Sequence, residues 1–182
     1  MVVRGKKVSL CPARETDRRK IYTWLARSDL TPSMMGPPDF PDYPVPTWED
    51  FRRLYSDTFF TPEGDGRGRF YIIQVNGEEV GTIGYELLGR RRNGVVLDIW
   101  LRAETYCGKG YGPDALETLC GHLQWQNATS IFLISLSVRN QRAIAACWKA
   151  GFRVMRVMNR GEQERAFGLS EHAVNLLMLK AL

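Results

Sequence analysis

Apolar and polar positions recur along the chain in patterns that predict strands and helices. Continuous or alternating runs of Ile, Val, Leu, Phe and Tyr predict strands, and apolar residues three and four positions apart predict helices. The predicted strands cover 7–12, 70–75, 79–88, 95–101, 131–138, 152–158 and 173–179. The predicted helices cover 16–26, the segment after Thr47, about four turns from Pro113, and the segment after Asn140. This order of elements predicts a mixed α/β sheet.

Turn-forming residues indicate how neighbouring strands connect. Asn76-Gly77 stands between the second and third predicted strands, and Asn93-Gly94 stands before the fourth. Both dipeptides are typical of tight β-hairpins, so these three strands are expected to form an antiparallel meander. The strand at 131–138 is almost unbroken in its apolar character, which predicts an interior strand covered on both faces.

Capping residues mark the ends of the predicted helices. Thr47 is expected to be an N-cap, with Asp50 three residues on, and Asn140 is expected to cap a later helix that Gly151 ends. Between 28 and 47 the chain holds six of its nine prolines, which excludes a continuous helix. We expect a long ordered loop there, of the kind that often carries function.

Composition and charge exclude several classes of protein. With 182 residues, 44% hydrophobic and 25% charged, the chain is expected to form one domain over 1–182. It shows neither a membrane-spanning run nor a signal-peptide core, so we expect a cytoplasmic protein that binds no membrane. The net charge of +5 is modest and spread out, so we expect no nucleic-acid partner; an anionic small ligand would also suit this charge. The basic run at 90–92 is expected to be a solvated hairpin tip.

The few metal-ligating and nucleophilic side chains show no site-like spacing. The chain has four cysteines, at Cys11, Cys107, Cys120 and Cys147. They are far apart and lack Cys-x-x-Cys spacing, so we expect reduced thiols and neither a zinc site nor disulfides. The two histidines, His122 and His172, lie near no Ser or Cys motif, and we therefore expect neither a metal centre nor a His-based triad.

The segment from Cys107 to Pro113 alternates three glycines between a predicted strand and a predicted helix. Glycines let backbone N–H groups approach a ligand, and the helix dipole favours negative charge, so the segment predicts a phosphate cradle. A plain strand-to-helix turn is the alternative. A Walker loop needs Ser or Thr after Gly-Lys, but Gly110 follows Lys109. A dinucleotide-binding fold needs Gly-x-Gly-x-x-Gly, but this segment reads Gly-x-Gly-x-Gly. That fold also needs an acidic residue about 20 positions later, and this chain has the apolar segment 131–134 in that region.

This segment resembles the signature of the GNAT acetyltransferases, a Gln/Arg-x-x-Gly-x-Gly/Ala loop that wraps the pyrophosphate of acetyl-CoA in that family. Asp98-Ile99-Trp100-Leu101 before the loop also resembles the family in order and spacing. So does the stretch from Asn140-x-x-Ala143 through Lys149-Ala150-Gly151-Phe152, and the resemblance covers nearly the whole chain. The branch it resembles holds ribosomal-protein N-terminal, spermidine and some aminoglycoside acetyltransferases.

The resemblance implies a fold, a cofactor and a set of contacts. The implied GNAT acyl-CoA N-acyltransferase fold has a central, mostly antiparallel sheet of six to seven strands flanked by about four helices. The implied cofactor is acetyl-CoA, and homodimers are usual in the family. The residues implied to contact the cofactor are Leu101, Arg102, Cys107, Gly108, Lys109, Gly110, Tyr111, Gly112, Asn140 and Ala143.

The chain departs from the family pattern at two positions. Cys107 stands where the family has Gln or Arg, which removes one side-chain contact but leaves the backbone donors of the loop. Cys147 stands where much of the family has a Tyr that protonates the departing CoA thiolate. Cys147 is either the replacement acid or a buried residue on an apolar helix face.

The chemistry of amine acetylation indicates further candidates. An amine attacks a thioester only when neutral, so the site must remove or avoid a proton, which a nearby carboxylate can do. Asp98 is the candidate base, and a half-exposed strand residue is its alternative reading. A backbone N–H near Leu101 or Arg102 is implied to stabilise the oxyanion. Since no activating His accompanies Cys147, direct transfer is favoured over an acetyl-cysteine route.

The favoured acceptor is the α-amine of a protein N-terminus, such as a ribosomal protein. The alternatives are a small polyamine or aminoglycoside, and a non-catalytic sensor that binds acyl-CoA. Four aromatic residues flank the proline-rich segment, which shapes the acceptor pocket in the family: Trp24, Tyr43, Trp48 and Tyr55. Each is more often a core residue than a ligand contact.

Overall fold

One mixed sheet of eight strands organises the part of the chain that the computed structural model describes, residues 1–35, 45–61, 66–88, 94–127, 129–167 and 174–182. The strands are β1 (Val3–Arg4), β2 (Ser9–Pro12), β3 (Gly68–Val75), β4 (Glu78–Leu87), β5 (Val95–Leu101), β6 (Ile131–Ser137), β7 (Arg153–Asn159) and β8 (Val174–Ala181). Their order across the sheet is β1-β2-β3-β4-β5-β6-β8-β7, and every pair is antiparallel except β5 with β6. The mostly antiparallel sheet is confirmed, with the two-residue β1 as the additional strand.

Six α-helices flank this sheet within the described ranges. They are α1 (Arg18–Ala26), α2 (Thr31–Met34), α3 (Trp48–Leu54), α4 (Tyr111–Asn127), α5 (Gln141–Lys149) and α6 (Arg160–Phe167). The four predicted helices correspond to α1, α3, α4 and α5. The single turn α2 tolerates Pro32 in its first turn, and α6 escaped prediction because its sequence is polar almost throughout. None of these helices has the length and apolar character needed to cross a bilayer.

The predicted turns and caps that fall within the described ranges are confirmed. Asn76 and Gly77 both have positive φ, at 50° and 84°, and they join β3 to β4 as a tight hairpin. Thr47 forms a reciprocal capping box with Asp50 at the start of α3. Gly151, with φ of 90°, follows α5 in the left-handed conformation that glycine adopts most readily.

Other predictions fall outside the described ranges. They concern the middle of the proline-rich segment at 36–44, which includes Tyr43, the hairpin tip at 89–93, and His172.

Two hydrophobic clusters cover the two faces of the sheet. The first, called here the main core, includes Leu116 and Leu119 of α4 and Cys147 of α5. The second, called here the aromatic core, packs α1 and α3 against the opposite face and includes Phe51 and Trp100. Successive side chains of a strand point to opposite faces, so β5 contributes residues to both clusters.

Candidate active site

Strands β5 and β6 separate at one end of the sheet. Their parallel pairing ends at Leu97 and Ile134, although β5 continues to Leu101 and β6 continues to Ser137. The last residues of the two strands therefore border an opening in the middle of the sheet. The interior position of β6 between β5 and β8 is as predicted, but its coverage on both faces is interrupted at this opening.

A cavity of about 290 Å³ occupies this opening. Its lining includes Leu116 and Cys147 from the main core, and Leu25 and Trp100 from the aromatic core. The cavity therefore connects the two faces of the sheet. Such a site admits one molecule from the α4 and α5 side and a second from the α1 and α3 side, so that the two meet between the strands.

The glycine loop, defined here as residues 108–112, forms the wall of this cavity on the α4 side. Gly108 and Gly110 have φ of 75° and 84°, a conformation that residues with a side chain rarely adopt. The N–H of Asp114 donates to the carbonyl of Gly110 at 3.2 Å, so the N–H groups of Tyr111 and Gly112 precede the first closed turn of α4. These are the orphan donors that bind anions at a helix N-terminus.

The turn between β1 and β2 holds the glycine loop in place. The buried carboxylate of Asp114 accepts hydrogen bonds from the backbone N–H groups of Lys6, Lys7 and Val8, at 3.1, 2.6 and 2.9 Å. The ammonium of Lys7 donates to the carbonyl of Lys109 at 3.0 Å and adds positive charge beside the loop. Sequence reasoning missed this attachment, because its partners stand more than 100 residues apart.

The residues of the loop fit a diphosphate group. A Cβ added at Gly108 or Gly112 would meet no atom within 4 Å, so open space lies in front of the loop amides. The helix dipole and the Lys7 ammonium both favour an anion at this place. Cys107 and Tyr111 also line the cavity, as do Asn140 and Ala143 across from them on α5.

The structure confirms the predicted role of Asn140 as the N-cap of α5. Its side-chain oxygen accepts a hydrogen bond from the N–H of Ala143 at 3.0 Å and so caps α5. Since both residues line the cavity as well, their implied contact with acetyl-CoA stays a prediction.

The open edge of β5 presents backbone donors to the cavity. The N–H of Arg102 donates to the carbonyl of Val80 on β4 at 2.9 Å. Because N–H groups alternate between the two edges of a strand, those of Leu101 and Ile99 point to the opposite edge, where β6 has separated. Leu101 therefore keeps its predicted role as an oxyanion donor.

The implied contact of Arg102 with acetyl-CoA stays a prediction, and the structure disfavours it. Its N–H is already used within the sheet, and its side chain lies outside the cavity, where it pairs with Glu78 at 3.0 Å and contacts the ring of Tyr106. The side chain of Lys109 is also exposed outside the cavity, and its Nζ lies 5.7 Å from the centroid of the Tyr106 ring. A contact of Lys109 with the diphosphate would therefore come from its backbone and not from its ammonium.

Asp98 lies in the cavity at the point where β5 leaves β6. It is half-buried, on the face of the sheet that carries the aromatic core, because it alternates with Leu97 of the main core. Removal from water raises the pKa of Asp98 to about 6; the hydrogen bond from Tyr55 acts against this shift, and the Glu86 carboxylate adds to it. At neutral pH the group is ionised and able to accept a proton.

Tyr55 connects Asp98 to the aromatic core. Its hydroxyl donates to Asp98 Oδ2 at 3.1 Å, and its ring contacts Phe51, Phe59 and Phe70 at centroid distances of 4.9 to 5.9 Å. Sequence reasoning placed Tyr55 near the acceptor pocket, but could not show this hydrogen bond between residues 43 positions apart. Trp24 and Trp48 pack in the aromatic core outside the cavity lining.

A buried arginine fixes the backbone at Tyr55. Arg18 is 3% exposed, and its guanidinium donates to the carbonyls of Tyr55 and Arg52 and pairs with Asp57. The end of α3 is thereby tied to α1, which holds the Tyr55 hydroxyl towards Asp98.

We expect Tyr55→Phe to move the acidic limb of the pH–rate profile to higher pH. The hydroxyl lowers the pKa of Asp98, so its removal raises that pKa, while the phenylalanine ring preserves the aromatic contacts. The measurement is kcat/KM for the acceptor between pH 5 and 8. Tyr22→Phe is the control, because it removes a hydroxyl from the same aromatic core. An acidic limb at the same pH in Tyr55→Phe and wild type would contradict the prediction.

Cys147 borders the cavity but is 2% exposed and belongs to the main core. Burial raises the pKa of its thiol to about 12. A thiol of this pKa is a weak acid and is not ionised at neutral pH, which favours the packing interpretation over a role as nucleophile. Its role as the acid for the leaving thiolate stays a prediction that this burial disfavours.

Comparison with known protein families matches residues 7–153 to the Acetyltransferase (GNAT) domain. That range contains the glycine loop, Asp98 and the whole opening between β5 and β6. None of the curated proteins matches the chain.

Three solved structures with a similar fold are 16 to 20% identical in sequence to this chain. One is AAC(6')-Ib in complex with paromomycin and acetyl-CoA, with a TM-score of 0.71, 20% identity, and coverage of 97% of this chain and 94% of that one. Another is RimL, the ribosomal L7/L12 α-N-protein acetyltransferase, in complex with coenzyme A, with a TM-score of 0.74, 18% identity and coverage of 100% and 98%. A third, from Salmonella typhimurium, modifies the N-terminal serine of ribosomal protein L7/L12, with a TM-score of 0.75, 16% identity and coverage of 100% and 99%.

Proposed function

The chain belongs to the GNAT acetyltransferase family and is an acetyl-CoA-dependent N-acetyltransferase, and we propose that it acetylates the α-amine of a protein N-terminus by direct transfer. The observation that carries the choice of acceptor is the lining of the cavity on the α1 side. Among the described residues that line the cavity, Asp98 holds the single carboxylate. Its neighbours on that side include Leu25, Met34, Met35 and Trp100.

This lining favours an acceptor with one amine and an apolar body. Polyamines and aminoglycosides carry several positive charges, and their recognition by ion pairing calls for several carboxylates. An N-terminal residue presents one amine beside an uncharged side chain, which suits one carboxylate among apolar side chains. Arg142 and Lys149, the two basic residues of the lining, belong to α5 on the other side of the sheet.

Acetyl-CoA supplies a thioester to this site, and the chain supplies its positioning. The amides of the loop at 108–112 and the Lys7 ammonium hold the diphosphate, as anion binding at a helix N-terminus requires. Asn140 and Ala143 border the path from the loop to the opening between the strands. The N–H of Leu101, at the open edge of β5, donates to the thioester carbonyl oxygen as negative charge develops there.

Asp98 takes the proton that the amine must lose. The nitrogen–carbon bond forms as the carbon–sulfur bond breaks, and the amine proton passes to the Asp98 carboxylate. CoA leaves as its thiolate and takes a proton from water. Because the thiol of Cys147 has a pKa of about 12, Cys147 acts neither as nucleophile nor as proton donor in this reaction.

We expect peptides with a free N-terminus to be acetylated with a higher kcat/KM than spermidine or kanamycin. The experiment measures thiol release from acetyl-CoA for peptides that differ in their first residue and for these two amines. The control for each peptide is the same sequence with its α-amine already acetylated and one internal lysine kept.

The outcomes separate the three candidate functions. Turnover that depends on the free α-amine supports the proposal. A preference for spermidine or kanamycin would replace it with small-amine acetylation, and CoA binding in calorimetry without turnover on any amine would indicate a sensor.

A further inference from the structure

The hydroxyl of Ser135 is buried at the edge of the cavity without a hydrogen-bond partner in the described part of the chain. Four other buried side-chain atoms share this property, Arg18 Nε, Arg69 Nε, Thr129 Oγ1 and Gln163 Oε1. None of those four residues lines the cavity. Ser135 is therefore the described residue that both lines the cavity and carries an unsatisfied buried side-chain atom.

The register of the sheet places Ser135 across the opening from Asp98. Leu97 pairs with Ile134 in the parallel ladder, so the next residues on the two strands, Asp98 and Ser135, stand opposite each other across the opening. Side chains at matching positions of neighbouring parallel strands point to the same face. Ser135 alternates with Ile134 and Leu136 of the main core, so it shares the opposite face with Asp98.

A buried hydroxyl without a partner destabilises the free protein. The loss of a hydrogen bond to water is not compensated, and alanine at this position would avoid that cost. Buried polar groups in folded proteins are usually satisfied, so an exception on a residue that lines a ligand cavity indicates that the side chain turns towards a bound ligand, which supplies the partner. The partner must lie on the α1 side of the sheet, where the acceptor amine enters under the proposed function.

We propose that Ser135 Oγ accepts a hydrogen bond from the acceptor amine and, together with Asp98, orients its nitrogen for attack; this role rests on the proposed function. A neutral primary amine has two N–H groups and one lone pair. When one N–H points to Asp98 and the other to Ser135 on the same face of the sheet, the lone pair points through the opening. That direction leads to the side of the sheet on which the glycine loop lies.

The test compares Ser135→Ala with wild type on an acceptor that the wild-type protein turns over, and on the same acceptor with its amine methylated. We expect Ser135→Ala to lower kcat/KM for the primary amine about tenfold, as loss of one hydrogen bond to the amine predicts. The methylated amine has one N–H, which Asp98 requires, so its kcat/KM is expected to change less than twofold. The Kd of acetyl-CoA is expected to stay the same, and the melting temperature to stay the same or rise.

Ser137→Ala is the matched control. Ser137 is on the same strand and the same face, but its hydroxyl already accepts the N–H of Arg139 at 3.2 Å, and it does not line the cavity. Its substitution is expected to leave kcat/KM within twofold of wild type.

Two results would overturn the proposal. One is a loss of less than twofold for Ser135→Ala on the primary amine. The other is an equal loss on the primary and the methylated amine, which would place the hydroxyl on the thioester side of the reaction. Failure of the proposed acceptor is distinguishable from both, because the comparison uses whichever amine the wild type acetylates, peptide or small molecule.

Discussion

Asp98→Asn is expected to lower kcat by about a hundredfold or more while leaving the Kd of acetyl-CoA unchanged. Proton transfer to a positioned base contributes about 10² to 10⁴ in rate, and asparagine keeps the shape of the side chain without its basicity. Asp98 lies on the acceptor side of the opening, away from the glycine loop, so binding of the coenzyme does not depend on it. Single-turnover kinetics and calorimetry measure the two effects separately.

The pH dependence gives this prediction a second readout. The pKa of Asp98 is raised to about 6, so the wild-type rate should rise with pH through about 6 as the carboxylate forms, and Asp98→Asn should lose this limb.

A group whose pKa is raised by folding stabilises the fold when protonated, and that contribution disappears as the pH rises through about 6. Since asparagine does not ionise, Asp98→Asn should be at least as stable as wild type above that pH.

Glu86→Gln is the matched control for Asp98→Asn. Glu86 is exposed on β4, and its carboxylate raises the pKa of Asp98. Its removal should shift the acidic limb to slightly lower pH and leave the plateau rate unchanged. Wild-type turnover in Asp98→Asn would remove Asp98 from the mechanism and leave the family fold unaffected.

Gly110→Glu is expected to weaken CoA binding at least about a hundredfold. The residue has φ of 84°, where any side chain is strained, and a Cβ there would lie 2.9 Å from Lys7 Nζ. The new carboxylate would also lie beside the bound diphosphate, and repulsion between like charges at about 4 Å amounts to several kcal/mol near a protein surface. Calorimetry with CoA gives the Kd, and circular dichroism shows whether the variant is folded.

Gly121→Glu controls for the charge change. Gly121 is exposed on the same helix α4, nothing lies within 4 Å of a Cβ added there, and the change in net charge is the same. CoA affinity of Gly121→Glu should match wild type. Equal affinities in Gly110→Glu and wild type would show that the diphosphate of CoA does not bind at the glycine loop.

The parts of the site that depend on residues close together in the chain could be predicted from the sequence. The glycines at 108, 110 and 112 predict a cradle because they permit positive φ and close approach, and two of them adopt that conformation. Asn140 was predictable as a helix cap because asparagine at this position accepts from an N–H three residues on, here that of Ala143. Asp98 was a candidate because of its place in a strand that resembles the family, although its environment was not readable from the chain.

The sequence alone determined the order of the seven predicted strands and four predicted helices, the hairpin at Asn76-Gly77 and the nature of the loop, because each depends on residues within a few positions of one another. Only the tertiary structure decided which side chains meet at the opening: the Tyr55 hydroxyl on Asp98, Asp114 under the turn at Lys7, and Ser135 opposite Asp98. It also showed that the N–H of Arg102 is used within the sheet. These facts follow from strand register and from contacts between distant segments, and hydrophobic periodicity specifies the face of a strand but not its partner.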